Sequence, residues 1–191
     1  KFQSLGHQVS HLPLLSVEKM IHDEIDFTDY DGIVFTSANA VKFLNLNEIN
    51  KTIKCFCVGE ATEKKARSLG FQNTIAAGGN VSNLKELVLQ NYNSSSGKLL
   101  YVSGEKISVN LDQELLNEGY KVKRIINYRV NHNKNFSEQF VKELKKNMPN
   151  MVYIYSQNSA HSFLNFIKFH QLEGLCKDTN LMCISEKTSS I

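Results

Sequence analysis

The chain has 191 residues, of which 41% are hydrophobic and 21% charged, and its formal net charge is +3. That composition fills one large or two small domains and excludes a disordered or fibrous chain. The lysines are scattered and form no basic stripe, which excludes nucleic acid as a partner, and no apolar run approaches the roughly 18 residues that would cross a membrane.

Taken in order, KFQSLGHQV (1–9) reads as the last turn of a helix, a glycine stop and then a strand around Val9. A helix rarely opens a domain, so the chain is expected to be cut there, and again at EKTSSI (186–191), where a helix only begins. Pro13 fixes φ and favours an extended crossing through PLLSVE (13–18). Apolar, β-branched runs then alternate with amphipathic ones. Strands are expected at GIVFTS (32–37), KCFCVG (54–59), KLLYVSG (98–104), KVKRIINYRV (121–130), NMVYIYS (150–156) and LMCIS (181–185). Helices are expected at 39–46, 61–69 with Gly70 as its stop, 81–90, 111–117 closed by Gly119, 137–147 and 159–169. NSSSG (93–97) is a surface loop.

Such alternation argues for parallel sheets with helices on both faces. Cys55 and Cys57 alternate on one strand and share a face. With Cys176 and Cys183 they form no CxxC pair, so all four read as small core hydrophobes of a reducing, cytoplasmic protein. The start of the chain shows no secretory signal pattern.

One cassette occurs twice. GIVFTSANAVKFL (32–44) is echoed by MVYIYSQNSAHSFL (151–164), with Ser37 against Ser156 and Asn39 against Asn158. Downstream, CFCVGEAT (55–62) aligns with LMCISEKT (181–188), pairing Cys57 with Cys183 and Thr62 with Thr188. The expected architecture is therefore α/β, with two similar parallel-sheet lobes joined by a two-stranded linker and an active-site cleft between them. Lobe A would hold residues 1–12 and 133–191, lobe B residues 19–125, with crossings at 13–18 and 126–132.

Each cassette sets Ser, Thr and Asn where a strand ends and a helix begins. Open α/β sheets bind ligands there, and helix N-termini offer unpaired N–H groups to anions. The candidate binding residues are Thr36, Ser37, Ala38 and Asn39, then Thr62, Asn80, Ser82, Ser103 and Gly104, and in the second copy Ser156, Gln157, Asn158 and Thr188. Taken singly, such residues are ordinary N-caps; several at one site suit a carboxylated ligand. His7 and His11 lie on a strand-like segment and share no helical face, so no metal site is expected. HExxH, GxSxG and GxxxxGK[ST] are absent from the sequence. Tyr128 is the acid–base candidate, since a phenol with arranged hydrogen bonds is a usable proton donor.

In order and spacing, PLLSVE (13–18), DGIVFTSANAV (31–41), VGEAT (58–62), YVSGE (101–105), INYRV (126–130), YSQNSA (155–160) and ISEKT (184–188) resemble the uroporphyrinogen-III synthase family over nearly the whole chain. The resemblance implies a monomeric enzyme without metal or organic cofactor. Its substrate would be hydroxymethylbilane, a linear tetrapyrrole with eight carboxylates, closed through a spiro intermediate with ring D inverted and water lost. Tyr128 matches the tyrosine of the family's crossing. The family often has a basic residue four positions after the glycine at 104; here Ser108 stands there, with Lys106 nearer. The alternatives are a non-catalytic two-lobed module for a small anion, or a degenerate relative kept for interaction.

Overall fold

The computed structural model describes residues 2–45, 49–134 and 136–191. The chain divides into two compact units, Val17–Val130 and Lys1–Ser16 with Asn131–Ile191. A six-stranded sheet runs in the order β1 (Leu15–Lys19), β6 (Lys121–His132), β5 (Lys98–Gly104), β2 (Gly32–Phe35), β3 (Lys54–Cys57), β4 (Thr74–Ala76). The pairs β2–β3, β2–β5, β3–β4 and β5–β6 are all parallel.

Alternation along the strands decides which helix covers which face. Ile33, Phe35, Cys55, Cys57, Leu100 and Val102 point to one side. There they pack with Ala40 and Val41 of α1 (Ala38–Phe43) and Ala66 of α2 (Glu60–Ser68). Val34, Phe56, Leu99 and Tyr101 point to the other. They meet Leu84 and Val88 of α3 (Val81–Asn91) and Leu111 and Leu115 of α4 (Leu111–Asn117). Both faces are therefore dry, which is why these strands read as continuous apolar runs.

In the other unit, β7 (Met151–Ile154) pairs in parallel with β8 (Asn180–Cys183). Ile154 joins Ala160, Phe163, Phe166 and Ile167 of α6 (Gln157–Phe169) and Leu14 in one core, with Phe140 and Leu144 of α5 (Glu138–Lys146) packed against it. α7 (Glu186–Ser189) follows β8.

The repeat holds residue for residue in the backbone. Phe35 is the register partner of Cys57, and their counterparts Ile154 and Cys183 are partners in turn. Val58 N–H donates to Phe35 O at 3.0 Å, and Ile184 N–H to Ile154 O at 3.1 Å. Ser37 caps α1 and Ser156 caps α6. The likeness is confined to the cassettes: among the described residues the second sheet has two strands where the first has six.

Three local expectations are corrected. No strand forms around Val9; the first begins at Leu15, within the stretch expected only as a crossing. Residues 7–11 carry polar side chains on both sides of Val9, which is 37% exposed, so they offer no apolar stripe to bury. β4 was not expected, because three residues are too few to show a period. The strand expected at 32–37 stops at Phe35, where Ser37 turns its hydroxyl back to accept from Asn39 N–H at 3.1 Å and starts a helix. That helix ends at Phe43; Leu46, where it was expected to end, lies outside the described residues.

Candidate active site

Within the unit Val17–Val130, a pocket of about 130 Å³ opens beyond the C-terminal ends of β2 and β5. Thr36, Tyr101, Gly104, Lys106, Ser108 and Tyr128 line it, with Val81, Ile107 and Val109 as its apolar wall. Three residues expected from the sequence thus come together: Thr36, Gly104 and Tyr128.

Tyr128 owes its aim to a break in the ladder. Ser103 pairs with Ile126 and Gly104 with Tyr128, leaving Asn127 as the extra residue of a bulge. A bulge of this kind re-aims the side chain that follows it. The Tyr128 ring then lies against Gly104, where a Cβ would sit 2.7 Å from its Cζ and 2.9 Å from its hydroxyl. Only glycine leaves room there. The Tyr128 hydroxyl makes no hydrogen bond to the described residues, and the residue is 9% exposed.

Arg124 braces the pocket from behind. Its Nε donates to Ser103 Oγ at 2.8 Å, and its Nη2 donates to the carbonyls of Gly104 at 2.9 Å and Glu105 at 3.3 Å. Ser103 Oγ also donates to Gly104 O at 3.1 Å and is fully buried. Both roles of that hydroxyl are used inside the wall, so Ser103 is placed behind the pocket and does not line it. Glu105 N–H donates to Tyr128 O at 2.9 Å, and Arg129 pairs with the Glu105 carboxylate at 3.3 Å.

Tyr101, which the sequence reading passed over, presents a second phenol. Its hydroxyl stands 3.5 Å from Thr36 Oγ1, and burial raises its pKa above the ordinary phenol value. It therefore stays a neutral hydrogen-bond donor. The Arg124 guanidinium lies 6.0 Å from the centre of its ring. Tyr101 sits in an apolar strand run and reads as core; only its place two residues before Ser103, near the strand end, hinted otherwise. Among the described residues of the lining, Lys106 carries the formal charge, and it suits an anion.

The remaining candidates fall elsewhere. Asn80 Oδ1 accepts from Asn83 N–H at 2.8 Å as the cap of α3, and Asn80 and Ser82 are exposed. Thr62 is 4% and Thr188 3% exposed. Ala38 and Asn39 open α1 beside Thr36 and are partly exposed. In the other unit, Ser156 Oγ accepts from Ser159 N–H at 3.1 Å. Gln157 Nε2 donates to Lys187 O at 3.0 Å, and the hydroxyls of Ser185 and Thr188 are 3.1 Å apart. The YSQNSA and ISEKT segments therefore adjoin, with Asn158 in the first turn of α6.

The family model described as uroporphyrinogen-III synthase HemD matches residues 1–190. The fold is similar to a uroporphyrinogen-III synthetase from Helicobacter pylori, with a TM-score of 0.68 and 21% identity, covering 94% of this chain and 79% of that one. It is also similar to a mutant uroporphyrinogen III synthase from the extreme thermophile Thermus thermophilus, with a TM-score of 0.58 and 14% identity, covering 98% and 80% respectively. No curated protein matches the sequence.

Proposed function

The chain belongs to the uroporphyrinogen-III synthase family, the cyclising lyases of haem biosynthesis, and from that membership we propose how its own residues close hydroxymethylbilane. The observation that carries the proposal is the convergence of Tyr128, Thr36, Gly104, Lys106 and Ser108 on one pocket.

Tyr128 is the proton donor. Its O–H proton passes to the departing hydroxyl of the substrate, the C–O bond breaks and water leaves. The substituted ring-D carbon then attacks the electrophilic carbon to form the spiro intermediate. Its bond to the bridge carbon between rings C and D breaks, and that bridge re-forms at the free carbon of ring D. The proton lost there restores the Tyr128 phenol, giving uroporphyrinogen III with ring D inverted. No oxidant or reductant is needed for that balance. Lys106, Thr36 and Ser108 hold substrate carboxylates by charge-assisted and hydroxyl hydrogen bonds. Ser37, Ala38 and Asn39 extend that set at the start of α1, and Thr62 in α2 with Asn80 and Ser82 at the start of α3 complete it. Gly104 keeps the space for the Tyr128 ring, and Ser103 supports the wall through Arg124. Holding a flexible, multiply anionic chain in one folded pose is the larger part of the catalysis.

The reading includes two lobes joined by a two-stranded linker at 13–18 and 126–132, with the substrate between them and Ser156, Gln157, Asn158 and Thr188 as the second lobe's binding set. The residue-for-residue cassette repeat supports it. It also takes the protein to be a cytoplasmic monomer; no described helix is long and apolar enough to cross a membrane.

The test is to supply hydroxymethylbilane and separate the product isomers. Uroporphyrinogen III is expected; the type I isomer alone, which forms without help, sinks the enzymatic reading. Tyr128→Phe is expected to lower kcat by about 10²-fold with KM little changed, as loss of a general acid does. An unchanged kcat removes the acid role from Tyr128.

A further inference from the structure

The side chain one residue before the proton donor is as buried as any in the molecule, yet it is an amide. Asn127 is 0% exposed. Its Nδ2 donates to the carbonyl of Ala40, in the first turn of α1, at 2.7 Å. Its own backbone carbonyl accepts from Met20 N–H at 2.9 Å, just beyond β1. It is also the extra residue of the bulge that sets Tyr128 opposite Gly104. One residue thus ties β1, β6 and α1 together beside the pocket.

The amide is not there for cheap burial. Its Oδ1 has no hydrogen-bond partner among the described residues, and an unpaired buried acceptor is costly. The orientation is nevertheless determined, because reversing the amide would set Oδ1 against the Ala40 carbonyl oxygen. A leucine of similar size would bury more cheaply but make no bond to α1. The bond spans 87 positions of sequence and ends one residue after Asn39 of the cassette. Tyr128 on β6 and Thr36, two residues before α1, line the same pocket.

We propose that Asn127 is a positioning residue: its bond to Ala40 O fixes the β6 bulge against α1 and so fixes the Tyr128 hydroxyl relative to Thr36–Asn39. The proposal rests on the reading of Tyr128 as proton donor. Asn127 touches no reacting atom; it acts through Tyr128. A shift of the order of 1 Å in a catalytic group costs up to about 10²-fold in rate.

The experiment is a double-mutant cycle on the intact chain with hydroxymethylbilane as substrate. Asn127→Ala is expected to lower kcat about tenfold with KM changed less than about twofold. In the Tyr128→Phe background the same change is expected to cost almost nothing more, because the group it positions is gone. If Asn127→Ala costs the same in both backgrounds, or leaves kcat untouched while Tyr128→Phe is slow, the proposal fails and the acid role stands. If Tyr128→Phe alone turns over normally, the acid role fails first. A second readout does not depend on turnover. With 3-fluorotyrosine incorporated and the residue-128 line assigned by its loss in Tyr128→Phe, Asn127→Ala should shift or split that ¹⁹F line; an unmoved line overturns the proposal. Asn127→Ser, which keeps a shorter donor, should recover part of the rate. If neither variant folds, Asn127 is a stability residue and the proposal falls.

Discussion

At the scale of single residues, the pocket is governed by what a position excludes as much as by what it supplies. Gly104 shows this best. A Cβ there would lie 2.7 Å from Tyr128 Cζ, closer than packed atoms approach, and Tyr128 is 9% exposed with little room to retreat. Gly104→Ala should therefore push the ring off its bearing. The expected result is a kcat loss of about tenfold or more, with destabilisation held to about 1–3 kcal/mol, the usual cost of one added methyl in a packed site. Urea denaturation and steady-state kinetics check the two halves. A fully active Gly104→Ala enzyme would show that the aim of Tyr128 does not matter. The same scale explains which residues in and around the pocket could be singled out from the sequence and which could not. Tyr128 could be singled out because it is the one tyrosine of the stretch 126–132, where its hydroxyl can either serve a ligand or pack. Tyr101 and Asn127 could not, because a residue inside an alternating strand run looks like part of the period; only the bulge, which no sequence period reveals, takes Asn127 out of it. Ser103 looked like a ligand contact, but its hydroxyl is used by Arg124 and Gly104 O.

At the scale of elements, strand-to-helix junctions carry the design, and each has two possible jobs. Ser37 satisfies an N–H of α1, bonding Asn39 N–H at 3.1 Å, while remaining partly exposed beside Thr36. Capping and substrate binding can be separated by charge. Aspartate caps as well as serine, but its carboxylate would repel those of the substrate. Ser37→Asp should keep its melting temperature within a degree or two yet raise KM about tenfold or more. Ser37→Ala should instead lose about 1 kcal/mol of stability from the missing cap. If the aspartate variant binds substrate as well as the native protein, the cassette is a cap and nothing else. These junctions were the most legible part of the sequence, since Ser, Thr and Asn after an apolar run mark both the cap and the strand end. Strand existence followed from the long runs at 98–104 and 121–130. β4 escaped because a three-residue strand has no period, and Val9 misled because an apolar residue among polar neighbours needs a partner strand that the sequence does not provide.

At the scale of the whole molecule, the two units are unequally provided with apolar cover, and their stabilities should differ accordingly. In Val17–Val130 both faces of β2, β3 and β5 are sealed, with Ile33, Val34, Phe35, Cys55, Phe56, Cys57, Leu99 and Leu100 all at 0% exposure. In the other unit the cover of β7–β8 is thinner, with Leu181 49% exposed on the side of Val152 and the Phe2 ring, its centroid 4.8 Å from that of Tyr153, on the other. Met151, Tyr153 and Met182 remain 43%, 40% and 50% exposed, and the core rests on α6 through Phe163, Phe166 and Ile167. Amide protection follows how much apolar surface an opening must expose. Hydrogen exchange should therefore find the β7 and β8 amides at least about tenfold less protected than those of β2, β3 and β5. Phe166→Ala removes a buried ring that stacks edge-on against Phe136 with centroids 4.9 Å apart. Such a truncation costs about 3–5 kcal/mol. Exchange is then expected to accelerate in β7, β8 and α6 and to stay nearly unchanged in β2, β3 and β5. Equal acceleration in both sets would mean that the chain opens as one cooperative body, and that the duplicated cassette is a repeat of form without independence of folding.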